Sequence, residues 1–355
     1  MEKIITTTLG SFPKPTYSPI KDWFDAARTL GGMNSSQTTL NYSERSSSLS
    51  SHDELLFVKA AAEVIDVQVR AGVDIPTDGE VRRENYIHYH CRSLKGFDFQ
   101  NLEHRVLRNG AYETDLPAIR SRVSHSGKIY SVHDWKTAQK NSPVPIKYTL
   151  PGPLTIMDTN ADCFYEDRKK LNSDLAQTIN LEILELAKAG CEYIQVDEPL
   201  FARQVVDALD FGIEGLERCF FGVPKEITKI VHICCGYPDH LDDENYQKAK
   251  PSAYFDLISE LDNSSIDQIS IEDAHCCNDL KLLQLLKKKT IIFGAVTSAR
   301  SRIETVAEIR DRLSNALEYI DRKRFVVAPD CGLGLLSPTQ AEQKLKNMCS
   351  AVRSL

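Results

Sequence analysis

From about residue 145 onward the chain alternates short apolar runs with longer amphipathic stretches. The runs "IKYTL", "YIQVDEP", "KIVHICCG", "QISIED", "TIIFGAV" and "RFVVAPDCG" are rich in β-branched residues and read as strands. Between them, "SDLAQTINLEILELAKAG" opens on a Ser/Asp cap and closes on Gly190, and "SRIETVAEIRDRLSNALEYI" carries apolar residues at helical spacing. Upstream, "KIITTTLGS" reads as another strand, and the helical "DELLFVKAAAEVIDVQVRAG" leads into a further one at "VDIPTDGE". Eight strands with helices between them predict an α/β fold, a single (β/α)8 TIM barrel over residues 1–355. A doubly wound sheet would want a glycine-rich phosphate turn after its first strand, and none is there. Two segments break the repeat. The Ser-rich stretch 33–52 is expected to be a mobile loop, and residues 85–144 an inserted hairpin with surface loops.

In such a barrel the chemistry gathers at the C-terminal ends of the strands, so the polar residues there carry the functional signal. Strand side chains alternate with period two. In "YIQVDEP" this sets Ile194 and Val196 on one face and Gln195 and Asp197 on the other. In "QISIED" Ser270 and Glu272 point inward. In "VHICCG" His232 and Cys234 share a face, and Cys235 lies opposite them. Cys331 ends "RFVVAPDCG". One His, two Cys and one Glu at one mouth supply the N, S and O donors that suit tetrahedral zinc. Cys235, Cys276 and Cys277 have three readings: further ligands, a redox reserve, or core residues. For Cys235 the alternation favours the core. His275 and Cys276, just past a strand end, are within reach of a metal, with a structural role as the blander reading. Glu198 and Asp330 read as helix caps or ion-pair partners, and Arg82 and Arg83 as exposed charge.

Composition narrows the class of partner. The 355 residues are 42% hydrophobic and carry a formal charge of −7, which gives a large core and no electrostatic bias toward nucleic acid. The start "MEKIITTTLGSFPKP" has neither a basic n-region nor a long apolar stretch, so a soluble cytoplasmic protein with a small-molecule partner is expected. The ten cysteines lack the framework spacing of a small secreted domain. Most of Cys91, Cys163, Cys191, Cys219 and Cys349 read as buried hydrophobes.

Several of these stretches, taken in order, resemble the catalytic half of cobalamin-independent methionine synthase. They are "TTTLGSFP", "DGE" at 78 to 80, "QVDEP" at 195 to 199, "HIC" at 232 to 234, "SIE" at 270 to 272 and "PDCGLG" at 329 to 334. The resemblance implies a (β/α)8 barrel in which His232, Cys234, Glu272 and Cys331 hold a zinc ion that activates the thiol of homocysteine for methyl transfer. It implies further that Ser11 helps hold the amino acid's carboxylate, and that Glu80 and Asp197, the catalytic pair, grip its ammonium group. Two carboxylates in a cleft favour a bound cation.

The pattern departs from folate-using members in three places. Those members carry a second, N-terminal barrel, for which this length leaves no room. A tryptophan that stacks on folate has no counterpart in "GPLTIMDTNADCF". A histidine after the seventh strand is replaced in "TSARSRIET" by Ser298 or Ala299, although Arg302 is kept. Of the two donors open to such an enzyme, a methyltetrahydrofolate and a methylcorrinoid, these departures therefore point away from the polyglutamyl folate and toward the methylcorrinoid, with a corrinoid or corrinoid protein as partner. Alternative readings are a zinc-dependent alkyl transferase acting on another thiol such as coenzyme M, and a non-catalytic zinc-binding barrel.

Overall fold

The computed structural model describes residues 3–23, 36–107, 112–238, 240–250 and 252–355. Its strands in chain order are β1 (Ile5–Thr6), β2 (Leu94–Leu107), β3 (Tyr112–His125), β4 (Lys147–Pro151), β5 (Ala161–Asp162), β6 (Tyr193–Asp197), β7 (Thr228–Ile233), β8 (Gln268–Ile271), β9 (Thr290–Gly294) and β10 (Phe325–Ala328). A seven-stranded parallel sheet runs in the order β1, β10, β9, β8, β7, β6, β4. Its two edges meet on the segment 75–77, where Thr7 bridges to Ile75 and Thr77 to Lys147, both parallel. That segment holds the place of the eighth strand, as a (β/α)8 barrel requires.

So short a strand makes few ladder bonds, and a buried side chain supplies the rest. Gln68, on the helix Ser51–Ala71, is fully buried. Its Oε1 accepts from Thr8 Oγ1 at 2.6 Å and from the Thr77 amide at 3.2 Å, while its Nε2 donates to Thr77 O at 3.0 Å. Thr77 Oγ1 then donates to Gly10 O at 2.7 Å. The backbone groups that a longer strand would pair are thereby satisfied.

Alternation sorts the strand side chains into two layers. Val231, Ile233, Ile194, Val196, Ile269 and Ile271 join the large core packed against the surrounding helices. Leu9, Ile230, Ile292, Val326 and Ala328 form a small separate cluster inside the barrel. Polar residues that share the inner face are therefore held over a dry floor.

The structure moves some expected boundaries. The Ser51–Ala71 helix closes on Gly72 at a φ of 103°, in the left-handed region that glycine adopts readily. The helix expected from Ser173 begins at Arg168, because Asp167 accepts from the amides of Lys169 and Lys170 at 2.9 and 3.2 Å. Within the Ser-rich stretch, residues 33–35 lie outside the described residues, and Ser36–Ser47 is a helix rather than a loop. Arg92 explains the difference: it donates to Ser43 Oγ at 2.6 Å and to Thr39 O at 3.2 Å, tying a polar sequence to the body. Within 85–144, β2 and β3 pair antiparallel, with the helices Tyr86–Cys91 and Ser131–Lys140 on either side. No helix among the described residues is long and apolar enough to cross a membrane.

Candidate functional site

The sequence-selected residues arrive at one end of the barrel from different strands. Ser11 follows β1 and Glu80 follows the 75–77 segment. Asp197 ends β6, His232 lies in β7 with Cys234 just beyond it, Glu272 follows β8, and Cys331 follows β10. Asp197 pairs in register with His232, and His232 with Ser270.

Three of the four expected ligands converge. The ligand atoms of His232, Cys234 and Cys331 all lie within 4.8 Å of one another. His232 and Cys234 are each 2% exposed. Ser270 Oγ stands 2.9 Å from His232 Nδ1, and Nε2 is buried with no protein partner. With Nδ1–H donating to Ser270, Nε2 keeps its lone pair free, the tautomer that a metal ligand needs. A hydrogen bond between the two thiols, with His232 beside them, pushes the Cys234 thiol down and the Cys331 thiol up. A buried imidazole nitrogen without a hydrogen-bond partner, in a ring next to two thiols, fits a thiophilic cation.

Glu272 stands apart from this group. Its Oε2 accepts from Lys248 Nζ at 2.7 Å, while Oε1 is buried without a partner. Burial pushes its carboxyl well up, against the pull of Lys248. Glu272 groups instead with Cys235 and Cys276, whose ligand atoms lie within 4.8 Å of its own. Cys235 packs behind the barrel, as its face requires. Cys163, expected among the buried thiols, is exposed, and Cys91, Cys191, Cys219 and Cys349 are buried.

The second half of the site is acidic. Glu80 and Asp197 are 7% and 5% exposed. Burial pushes Glu80 up to about 7, with Arg83 opposing and Asp197 adding to the rise. Asp197 rises to about 6 by burial, restrained by His232, by the Gln195 amide that donates to Oδ1 at 2.6 Å, and by Lys147. Thr149 Oγ1 donates to Glu80 Oε1 at 3.1 Å, and Arg83 Nη1 lies 3.4 Å from the same oxygen. Glu80 has a φ of 57°, a strained value for a non-glycine residue that aims its side chain beside Gly10. A methyl at Gly10, whose φ is 128°, would come within 2.9 Å of Glu80 Oε1. Ser11 is clamped nearby, its carbonyl accepting from the Leu333 amide at 2.7 Å.

Some functional neighbours escaped the sequence reading. Arg83 is buried rather than exposed, stacked 4.8 Å over Tyr148 and donating to Thr149 O at 2.9 Å. Tyr86 lies between the two halves, its hydroxyl pushed well up by burial and by the charges of Asp197, Cys234, Cys331 and Glu80. The inward face of "IKYTL" could have yielded Thr149. Lys248 and Tyr86 sit in stretches without periodicity. Glu198 and Asp330 have the structural roles expected of them: Glu198 caps Pro153–Asp158, and Asp330 accepts from the amides of residues 273–275.

A family model described as "Cobalamin-independent synthase, Catalytic domain" matches residues 4–354. A methionine synthase of Saccharolobus solfataricus is 30% identical over 98% of this chain and 93% of its own. One from Pyrococcus furiosus is 29% identical over 83% of this chain and 81% of its own. The structure of a B12-independent methionine synthase from Shewanella sp. W3-18-1 in complex with selenomethionine is also similar. It is 29% identical, has a TM-score of 0.84, and covers 99% of this chain and 98% of that one.

Proposed function

The chain belongs to the cobalamin-independent methionine synthase family, and from that premise we propose that its barrel mouth places a methyl group on the sulfur of homocysteine, with zinc held by His232, Cys234, Cys331 and Glu272. It is a methyltransferase of the methionine synthase type. The observation that carries the zinc reading is the approach of His232, Cys234 and Cys331 within 4.8 Å, with His232 Nε2 buried and unpartnered. Glu272 Oε1, likewise unpartnered, is the oxygen offered as fourth donor. Zinc bound there would lower the pKa of a substrate thiol so that the thiolate is present at neutral pH.

The chain's own groups do the rest. Ser270 holds the His232 ring in the donor tautomer. Glu80 and Asp197 form an anionic pair for the substrate ammonium, and Ser11 is a hydroxyl for its carboxylate. The selenomethionine held by the Shewanella relative supports an amino-acid pocket here. A sulfonate thiol such as coenzyme M has no ammonium for the two carboxylates, so it is disfavoured. Residues 1–355 act as one catalytic unit in this reading. The corrinoid expected from the sequence gains no support from a family described as cobalamin-independent, and methyltetrahydrofolate is the donor this reading takes.

The test is methionine formation by purified protein from homocysteine with methyltetrahydrofolate or methylcobalamin, before and after chelation. Zinc-dependent product with the folate is expected. Product undiminished after complete zinc removal would overturn the metal, and product with methylcobalamin alone would overturn the donor.

A further inference from the structure

Behind the gathered ligands lies a second set of donors, of which the proposed reaction uses Glu272 alone. Cys235 Sγ, a carboxylate oxygen of Glu272 and Cys276 Sγ lie within 4.8 Å of one another, the same limit that His232, Cys234 and Cys331 satisfy. Around an ion with metal–sulfur bonds of about 2.3 Å, tetrahedral sulfurs stand about 3.8 Å apart. Small side-chain rotations therefore close this set on an ion.

The surroundings are built to hold these atoms. Cys235 is 1% exposed and donates to Tyr254 Oη at 3.4 Å. That hydroxyl donates to Ile233 O at 2.8 Å and accepts the Glu272 amide at 3.1 Å, so one group fixes the ends of both β7 and β8. Cys276, partly exposed, enters from the turn after β8. Asp330 pins this turn, accepting from the amides of Asp273, Ala274 and His275. Cys276 Sγ stands 3.8 Å from Glu272 Oε2. In this fully buried carboxylate Oε1 is the oxygen offered to the first position, and Oε2, which faces Cys276, keeps a lone pair for a cation beside its Lys248 contact.

We propose that Cys235, Cys276 and Glu272 form a second metal position for a zinc-type divalent ion, back to back with the first and sharing Glu272 as the wall between them. Two thiolates and one carboxylate are a borderline-soft set that selects zinc over hard cations, and three protein ligands leave one coordination place open. Charge balances over the two positions together: two divalent ions and the Lys248 ammonium face four thiolates and the shared carboxylate. Loading releases two thiol protons to solvent and changes no oxidation state. Lys248 stays on Oε2 as an outer partner, as ligating carboxylates commonly keep one. The inference does not depend on the role given to the first position.

Cobalt(II) titration of the chelated, fully reduced, full-length protein, followed by thiolate-to-cobalt absorption, tests it. Saturation is expected at about two equivalents in the native sequence and about one in Cys276→Ser and in Cys235→Ala, with roughly half the absorption lost. Cys276 is partly exposed, so its variant folds even where a buried substitution at Cys235 does not. Saturation of the native protein at about one equivalent, unchanged in Cys276→Ser, would overturn the proposal. A Cys276→Ser protein that loses metal while Cys234→Ser,Cys331→Ser keeps it would instead overturn the first position and leave this one standing.

Discussion

His232 and Ser270 sit in register on neighbouring strands, and the proposed role of the imidazole as a zinc ligand rests on that one hydroxyl. Ser270→Ala removes the partner of Nδ1 and frees the ring to turn. Zinc affinity is expected to fall about 10- to 100-fold, measured by chelator competition. Glu80 gives a second prediction, in pH. Its carboxyl is raised to about 7 by burial, so below that pH the folded, ligand-free protein holds a proton there. The ammonium of an amino acid binds the anionic form, and that proton must leave first. The apparent KM for homocysteine is expected to rise by up to about tenfold per unit as pH falls below about 7, and to be flat above it. A profile flat throughout, or a Glu80→Gln protein with an unchanged one, contradicts the assignment. At this scale period two separated Cys234 from Cys235 correctly, because neighbours in a strand must face opposite ways. The partners of the ligands were not legible: Lys248 reaches Glu272 from an irregular segment, and no spacing rule relates the two.

Glu198 shows what was legible in the elements beside the site. It follows Asp197 in sequence and serves, as expected of it, as an acceptor at a helix start. The amides of Leu154 and Thr155, each at 3.0 Å, and Thr155 Oγ1 at 2.8 Å all donate to it. Glu198→Ala leaves these buried donors without a partner, at an expected cost of about 2–5 kcal/mol in urea unfolding. A cost below about 0.5 kcal/mol would mean water replaces the cap. Gly152 belongs to the same arrangement, since a Cβ there would lie 2.2 Å from the Glu198 carboxyl. The helix expected within residues 301–320 begins at Val306, where Thr305 and Glu308 form a capping box ahead of the apolar stripe. Ser36–Ser47 was not legible, since its polar composition has a loop's signature and Arg92 on another element holds it.

Over the whole molecule the repeat of strand and helix was the most legible feature, since the buried strands of the parallel sheet leave apolar runs that no surface element produces. The 75–77 segment was less so: its ladder is replaced by a side-chain network whose centre, Gln68, lies on the preceding helix. Gln68→Leu keeps the volume and strands the Thr77 backbone and Thr8 hydroxyl. A loss of about 2–4 kcal/mol in stability is expected, with strand-end groups including Glu80 loosened. Calorimetric melting that leaves the variant within about 0.5 kcal/mol of the native sequence would show that closure does not depend on it.

The central claim, that this mouth binds its thiol substrate on a zinc ion held by His232, Cys234 and Cys331, is reached most directly by zinc K-edge absorption. The Cys276→Ser protein is the sample of choice, so that only the first position contributes. Addition of homocysteine is expected to raise the sulfur scatterers around zinc from about two to about three, at about 2.3 Å. A spectrum unchanged by saturating homocysteine would contradict it.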